Sequence, residues 1–303
     1  MTPVSNSPIA LKALLAAAQV ASRVNARIAG RLVTRLWFTP WRLPLGKRAL
    51  AKQDEWLEQT VPLEVHAGGR VLKGYEGGRG PTVVLVHGWG DSSRSMGAFV
   101  RPLIERGFRV VAVDAPGHGA TSGGQSDGLQ IAAAVRAVAD ATGPVYAVVA
   151  HSLGAHATMV ALRDGLEIER AVLISPSVFL ESAVEPFVRM FGLSDVVIEP
   201  LRSEIERRFG RSVWGDLAAP HLVRDVRLPA LVMHDPEDPQ VPFADAERLV
   251  ASWDGAALEK VNGLGHTRIL RDPHVIQRAV SFLVRDSDES ARADEENRVP
   301  AEV

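Results

Sequence analysis

From about residue 60 to residue 285, short valine-rich apolar runs alternate with longer stretches of helical periodicity. The apolar residues of the later runs occupy both faces, which is typical of parallel strands buried between two helical layers. Helical patterns lie near 93–106, 128–140, 152–164, 243–253 and 273–285. The predicted strands are LEVHA, VLKGYE and residues 82–87, 109–114, 145–150, 171–175, 230–235 and 257–261. This alternation predicts an α/β fold with a mostly parallel, doubly wound sheet of about eight strands.

Other parts of the chain lie outside this alternation. Residues 179–229 separate two predicted strands by more than a normal crossover and carry helical patterns of their own, which predicts a helical cap insertion. We assign this insertion to a main domain of residues 59–286. Residues 1–58 are predicted to form a basic, amphipathic helical extension. Residues 287–303 are mostly acidic and polar, which favours a disordered tail.

The composition is that of a globular protein with a sizeable core, since 46% of the residues are hydrophobic and 23% are charged. The formal net charge is only -2, so no overall field favours nucleic acid as a partner. Cysteine is missing from the sequence, which excludes disulfides, thiol catalysis and thiolate metal sites. No histidine–carboxylate cluster has the spacing of a metal site, and no apolar run approaches the roughly 18 residues of a membrane span. We therefore expect no metal, no organic cofactor and a cytoplasmic location.

Residues that carry chemistry follow five of the predicted strands. The segments are HGWGDSS, APGHGATSGG, HSLGAH, PEDPQVP and NGLGHTR, each rich in Gly, His, Asp or Pro. In an open α/β sheet, ligands bind outside the carboxyl ends of the strands. The sequence therefore predicts a functional site at this edge of the sheet.

The segment Ala150-His151-Ser152-Leu153-Gly154 is close to the Gly-x-Ser-x-Gly pattern of a nucleophile elbow. Small residues two before and two after the serine allow a sharp turn from strand to helix, and alanine is the smallest residue after glycine. A serine at a helix N-terminus is also a common cap. The motif alone leaves both readings open.

Two further residues decide between these readings. A serine hydroxyl needs a base that is oriented by a carboxylate, and Asp238 and His266 follow the last two predicted strands, 230–235 and 257–261. The chain order Ser, Asp, His is the order of an α/β hydrolase. Asp235, which ends its strand, is the alternative acid. The joint occurrence at strand ends favours Ser152 as a nucleophile.

From about residue 60 to residue 285 the chain resembles the α/β-hydrolase superfamily, in its serine esterase and lipase branch. HGWG resembles the oxyanion loop of that family, DAPGHGATSG its Asp-x-Pro-Gly-His-Gly-x-Ser stretch, and AHSLG its elbow. HDPEDPQVP and GLGHTRIL resemble its acid and histidine loops. The resemblance implies an α/β-hydrolase fold, a catalytic triad and an oxyanion hole of backbone N–H groups. The triad residues are Ser152, Asp238 and His266, and the oxyanion residues are Trp89 and Leu153. Ala150 departs from the family's glycine.

A serine at the elbow indicates acyl transfer to water rather than the chemistry of relatives with an aspartate there. An apolar cap favours a small, uncharged ester with a hydrophobic group, so we expect a carboxylesterase. A thioesterase, a C–C bond hydrolase and a non-catalytic hydrolase-like binding protein are the alternatives. The candidate pocket residues are His87, Gly88, His151, Val178, Phe179, Phe187, Met190 and Val241. The cap residues among them would also suit a small core within the cap itself.

Two rows of residues recur every fourth position near the N-terminus. The apolar row is Val20, Val24, Ile28, Leu32 and Leu36, and the basic row is Arg23, Arg27, Arg31 and Arg35. On a helix these rows form neighbouring stripes. One interpretation is a helix that packs on the main domain or on a second subunit. The other is peripheral contact with an anionic membrane through residues 9–38.

Overall fold

A computed structural model describes residues 8–40 and 55–284 of the chain. An eight-stranded sheet forms its centre, in the order β1-β2-β4-β3-β5-β6-β7-β8. The strands are β1 Val61–Ala67, β2 Arg70–Gly78, β3 Thr82–Val86, β4 Arg109–Val113, β5 Val145–His151, β6 Arg170–Ile174, β7 Ala230–His234 and β8 Ala256–Lys260. Strand β2 is antiparallel to both of its neighbours, β1 and β4. The other six strands, in the order β4-β3-β5-β6-β7-β8, are parallel to one another. The predicted sheet is confirmed.

Helices connect the strands and cover the sheet. In the described residues they are α1 Pro8–Val24, α2 Ala26–Trp37, α3 Val100–Glu105, α4 Gly128–Thr142, α5 Leu153–Arg163, α6 Leu180–Met190, α7 Ile198–Phe209, α8 Val213–Asp216, α9 Ala219–Leu222, α10 Phe243–Ala251, α11 Gly265–Arg268 and α12 Pro273–Leu283. Short 3₁₀ segments lie at Glu55–Gln59, Ser93–Phe99, Asp195–Val197 and Ile269–Arg271. None of the described helices is long and apolar enough to cross a membrane.

The valine-rich strands are buried on both faces because successive side chains point to opposite sides of the sheet. Along β3, Val84 and Val86 join a core with helices α4, α5 and α10, whereas Val83 and Leu85 join a second core with α3 and α12. All five residues of β3 are buried. Complete burial of one such side chain stabilises the fold by about 1.5–3 kcal/mol. Helices on both faces therefore explain why the strands read as continuous apolar runs.

A third core joins the N-terminal helices to the segment between β6 and β7. Helices α6 to α9 lie in that segment, within the range predicted as the cap. Buried residues Val33 and Leu36 of α2 pack with Val188 of α6 and with Leu201 and Ile205 of α7. The cap and the N-terminal helices therefore form one packed layer.

The expectation of one N-terminal helix is corrected by a break at Asn25. Asn25 has an extended backbone, with φ -153° and ψ 106°, and its side chain accepts hydrogen bonds from the N–H groups of Arg27 and Ile28. This is an N-cap, so α2 begins as a new helix directly after α1. The two helices pack against each other as a hairpin.

The inner face of α2 is fixed against the cap. A Cβ on Gly30 would lie 2.4 Å from the Cβ of Pro200, so only glycine permits this approach. The ring of Trp37 packs edge-on against Phe187, with 4.9 Å between the ring centres. This face is therefore a packing element of the fold.

Two parts of the expected organisation lie outside the described residues. These are the acidic tail of residues 287–303 and, within the extension of residues 1–58, residues 1–7 and 41–54.

Candidate active site

The turn between β5 and α5 is built around Ser152. This residue has φ 53°, a region that L-amino acids other than glycine avoid and that costs on the order of 1–3 kcal/mol. Backbone hydrogen bonds hold it there: its N–H donates to the Ile174 carbonyl at 3.0 Å, and its carbonyl accepts from the N–H groups of Ala155 and Ser177 at 3.1 and 3.2 Å. The Ser152 side chain therefore lies beyond the hydrogen-bonded strands, at the edge of the sheet where the parallel strands end.

Glycine at position 154 is a steric requirement of this turn. A Cβ on Gly154 would lie 2.4 Å from the His87 carbonyl oxygen and 2.8 Å from that of Val86, both at the end of β3. Ala150 is fully buried within β5 and belongs to the core, so its methyl group has room. The small residues two before and two after Ser152 therefore have unequal roles.

The structure brings Ser152, His266 and Asp238 together in one chain of hydrogen bonds. His266 Nε2 lies 3.0 Å from Ser152 Oγ, and His266 Nδ1 lies 2.7 Å from Asp238 Oδ2. An ionised carboxylate only accepts, so Nδ1 carries the proton and Nε2 is free to accept the serine proton. The three residues follow β5, β7 and β8, although 114 positions separate Ser152 from His266.

The environment of Asp238 keeps its carboxylate charged. Burial of the side chain would raise its pKa, but the hydrogen bond from His266 and those from the N–H groups of Gln240 and Val241 outweigh burial and lower the pKa. The backbone bonds go to Oδ1, at 2.8 and 3.1 Å, which leaves Oδ2 for the imidazole. Asp238 is therefore an oriented anion beside His266.

The alternative acid, Asp235, has a different position. Its buried carboxylate accepts hydrogen bonds from the N–H groups of Glu237, at 2.9 Å, and of Leu264 and Gly265, at 2.5 and 2.6 Å. Burial would raise the pKa of Asp235, and these backbone donors outweigh it and lower the pKa. Asp235 therefore fastens the turn that begins α11, the short helix on which His266 lies, and does not contact the imidazole.

The two residues predicted to form an oxyanion hole lie on either side of Ser152. Leu153 is the first residue of α5, where backbone N–H groups have no partner within the helix. Trp89 follows Gly88, on which a Cβ would lie 3.1 Å from the Cβ of Ser152. Within the described residues, neither the Trp89 nor the Leu153 N–H donates to another protein group. Both N–H groups are therefore available close to the serine.

Two histidines predicted to line a pocket also hold loops in place. The ring of His87 is buried, with Nδ1 2.7 Å from the Gly88 carbonyl, and its Nε2 accepts from the Ala115 N–H at 3.0 Å. The ring of His151 lies 2.8 Å, at Nε2, from the carbonyl oxygen of His266. Burial, and then the nearby His266, lower the pKa of His151 to about 3, so it is neutral and donates from Nε2. Both rings therefore have a structural role, and their part in a pocket stays a prediction.

The predicted cap residues divide into two groups. Val178 and Phe179 follow Ser177, whose N–H binds the Ser152 carbonyl, so they run beside the elbow. Phe187 packs on Trp37 in the cap core, and Met190 is 63% exposed.

Val178 is fully buried in the main core, whereas Phe179 is half-buried, and Val241 is buried directly after the Asp238 turn. The assignment of these three residues to a pocket stays a prediction. The guanidinium of Arg248 lies 4.0 Å from the centre of the Phe179 ring and covers one of its faces. Phe187 lies in the core that the cap shares with the N-terminal helices. Within the described residues, no cluster of three His, Asp or Glu side chains is arranged to hold a metal ion.

Sequence reasoning missed the role of Asp114. Its two carboxylate oxygens accept from the N–H of Ser93, at 2.7 Å, and of Ala120, at 2.6 Å. It thereby ties together the loops after β3 and β4, which frame the site. Its position directly after a buried strand was the available signal.

A model of the alpha/beta hydrolase family matches residues 83–279, a range that contains Ser152, Asp238 and His266. The chain belongs to this family. Its mostly parallel sheet and its elbow after β5 are the α/β-hydrolase fold that the motifs implied.

Several of the similar proteins and solved structures are hydrolases by name. The 2-hydroxy-6-oxo-6-(2'-aminophenyl)hexa-2,4-dienoic acid hydrolase of Metapseudomonas resinovorans is 25% identical over 265 residues, which cover 74% of this chain and 91% of that protein. The pimeloyl-[acyl-carrier protein] methyl ester esterase of Nitrosospira multiformis is 29% identical over 143 residues, 45% of this chain and 52% of that protein. An esterase structure from Pyrococcus furiosus shares the fold, with a TM-score of 0.61 and 19% identity over 81% of this chain and 97% of that one.

We predict unequal effects for substitutions at the two small elbow positions. Gly154→Val should lower the free energy of unfolding by more than about 3 kcal/mol, because the new side chain meets two backbone oxygens that cannot move independently. Ala150→Gly should lower it by only about 1 kcal/mol, the usual cost of glycine within a strand. Urea unfolding of both variants measures the difference. A larger loss for Ala150→Gly would contradict this account of the turn.

Proposed function

We propose that this protein is a serine hydrolase that cleaves a carboxylic ester through an acyl-enzyme. The observation that carries the proposal is the hydrogen-bonded chain from Ser152 through His266 to Asp238, at 3.0 and 2.7 Å. It begins on a serine in a strained conformation at the end of a buried strand. Strain of this kind concentrates at functional sites, whereas an ordinary N-cap serine has no need of it.

In the first half of the reaction, Ser152 Oγ attacks the carbonyl carbon of the ester. His266 Nε2 takes the hydroxyl proton, and the charge of Asp238 stabilises the imidazolium that forms. The carbonyl oxygen becomes an oxyanion, to which the N–H groups of Trp89 and Leu153 donate. When the tetrahedral intermediate collapses, the imidazolium returns the proton to the alcohol, which leaves.

The second half releases the acid. Water replaces the alcohol, gives its proton to His266 Nε2 and attacks the acyl carbon. The bond to Ser152 Oγ then breaks, and His266 returns the proton to that oxygen. The enzyme is restored with no net change in its protonation.

An uncharged ester with a hydrophobic group suits the residues beside the serine. Phe179 comes two residues after Ser177, whose N–H binds the Ser152 carbonyl, and both Phe179 and Leu153 are half-buried apolar residues. The relative from Nitrosospira multiformis, a methyl ester esterase, supports ester chemistry.

A second candidate activity is hydrolysis of a C–C bond beside a ketone by the same three residues. The name of the Metapseudomonas resinovorans relative specifies an oxo acid and no ester. A panel of nitrophenyl esters, acyl-CoA thioesters and vinylogous diketones separates these activities. Fastest turnover on a nitrophenyl ester would support the ester proposal. Fastest turnover on a diketone would contradict it and support C–C bond hydrolysis.

We expect a fluorophosphonate probe to label the protein covalently and Ser152→Ala to abolish the labelling. The reason is that, among the serines of residues 8–40 and 55–284, only Ser152 is hydrogen-bonded to an imidazole that can take its proton. Gel fluorescence after labelling is the measurement, with Ser175→Ala as the matched control because Ser175 also follows a strand at positive φ. Labelling that persists in Ser152→Ala would refute the proposal.

A second prediction separates the two neighbouring aspartates. Asp238→Asn should lower kcat by about 10⁴-fold, because Asn would keep the backbone bonds with its oxygen and present its NH₂ to His266 Nδ1. The proton would then move to Nε2, which could no longer accept from Ser152.

Asp235→Asn should act through stability instead, since Asp235 binds backbone N–H groups before His266. We expect a lower Tm and a much smaller loss of kcat at temperatures where the variant is folded. Steady-state kinetics and thermal melting of both variants provide the comparison. If the Asp235 variant has the lower kcat while folded, the acid has been assigned wrongly.

A further inference from the structure

The outer face of the N-terminal hairpin, defined as α1 and α2, exposes an unusual amount of apolar surface. Val20, Val24 and Ile28 are 63%, 83% and 53% exposed, and Ile9 at the start of α1 is 80% exposed. These are four of the seven large apolar side chains that are exposed in the described part of the chain. Single exposed apolar residues are ordinary, but a contiguous group indicates an interaction surface.

The exposed side chains are continuous with a groove between the two helices. It is lined almost entirely by apolar atoms, among them those of Ala17, Val20, Ala21, Val24, Ile28 and Leu32. The inner face of α2 is already buried against the cap, so the groove lies on the opposite, outward side of the hairpin. The apolar surface therefore extends along both helices.

Basic side chains border this apolar surface. Lys12 and Arg23 lie at one edge of the apolar face of α1, and Arg27 and Arg31 lie on the outer face of α2; all four are exposed. The described salt bridges include none of them, although Arg31 lies near Glu204 of α7 and lowers its pKa after the larger effect of Arg207. The sequence has no acidic residue before Asp54. The surface therefore combines an apolar centre with positive borders.

We propose that the outer face of the N-terminal hairpin binds an anionic lipid surface. Val20, Val24 and Ile28 would enter the boundary between headgroups and acyl chains, and the basic residues would meet the lipid phosphates. This binding goes beyond the proposed hydrolase reaction and does not depend on it. Because α2 packs on the cap, the bound hairpin would hold the cap and the site below it near the membrane.

Charge favours a lipid surface over a second copy of the chain. In a two-fold dimer two copies of the same patch meet, so positively charged borders would lie against a surface that is itself positive. The hairpin has no acidic side chain to pair with them. An anionic membrane offers acyl chains to the apolar residues and negatively charged headgroups to the arginines.

Co-sedimentation with vesicles tests the apolar contribution. The full chain should pellet with vesicles of phosphatidylglycerol and phosphatidylcholine at low salt, and weakly with phosphatidylcholine alone. Val20→Thr, Val24→Thr and Ile28→Thr together should weaken the binding by about tenfold or more, since they keep the branched shape but make the contact polar. The matched control is Val61→Thr, which changes a valine 58% exposed on the edge strand β1.

The contribution of charge is tested by Arg23→Gln with Arg27→Gln. Each basic residue near an anionic surface contributes about a fivefold factor, so this pair should weaken binding by about twenty-five-fold. The control pair is Arg79→Gln with Arg136→Gln, which removes the same charge from exposed positions away from the hairpin. Higher salt should weaken wild-type binding and affect the Arg23 and Arg27 variant less.

Several outcomes would overturn the proposal. One is wild-type protein that stays in the supernatant at low salt. Another is unchanged vesicle binding by both hairpin variants, and a third is a loss of vesicle binding in the control variants as large as in the hairpin variants. Light scattering that shows a wild-type dimer, dissociated by the threonine variant, with no vesicle binding would assign the face to a second copy. Ser152→Ala should pellet like the wild type, so failure here is distinct from failure of the hydrolase assignment. Thermal melting verifies that each variant is folded.

Discussion

The backbone of Ser152 is the constraint on which the site depends. Its φ of 53° persists because the end of β6 and the start of α5 bind its N–H and carbonyl from two sides. The turn also brings Gly154 against the carbonyl oxygens at the end of β3, which leaves no space for a side chain there. The loop that contains Gly88 and Trp89 is thereby placed beside the serine. The nucleophile and the candidate oxyanion donors are positioned by the same close contact.

A second set of contacts holds the imidazole against this turn. Asp235 binds the backbone just before His266, and His151 donates to the His266 carbonyl at 2.8 Å. The pKa of His151, lowered by burial to about 3, keeps that ring neutral at ordinary pH. Asp235 acts on the two residues before the histidine, and the ring of His151 also lies against the His266 ring, with 4.7 Å between the ring centres. Both are positioning residues, whereas Asp238 accepts the hydrogen bond from the imidazole itself.

The sheet and the three central residues were predictable because local pattern carries them. Buried parallel strands show continuous apolar runs, and Ser152, Asp238 and His266 follow strands whose ends must converge. The bond from His151 to His266 joins residues 115 positions apart, and no local pattern reports it. Phe187 was equally suited to a pocket roof or a cap core, because its partner Trp37 comes from a separate part of the chain.

The two N-terminal rows predict helix, and the structure has helix there, but it has two helices where the rows predict one. A repeat of four residues turns about 40° per step relative to the 3.6-residue period, so a row from Val20 to Leu36 cannot remain on one face. In the structure the helix is broken at Asn25, and the two ends of the row face in different directions. Leu36 is fully buried against the cap, whereas Val20 and Val24 face outward. The packing interpretation therefore holds for the inner face, and membrane contact through the outer face stays our proposal.

In the proposed reaction, Ser152 attacks and the N–H groups of Trp89 and Leu153 bind the resulting oxyanion. A crystal structure of the protein after reaction with a nitrophenyl alkylphosphonate tests both parts at once, because the phosphoryl oxygen stands in for the oxyanion. We expect a covalent bond from phosphorus to Ser152 Oγ, with the phosphoryl oxygen about 3 Å from both backbone nitrogens. Phosphorus bonded to another residue, or a phosphoryl oxygen directed away from these N–H groups, would contradict it.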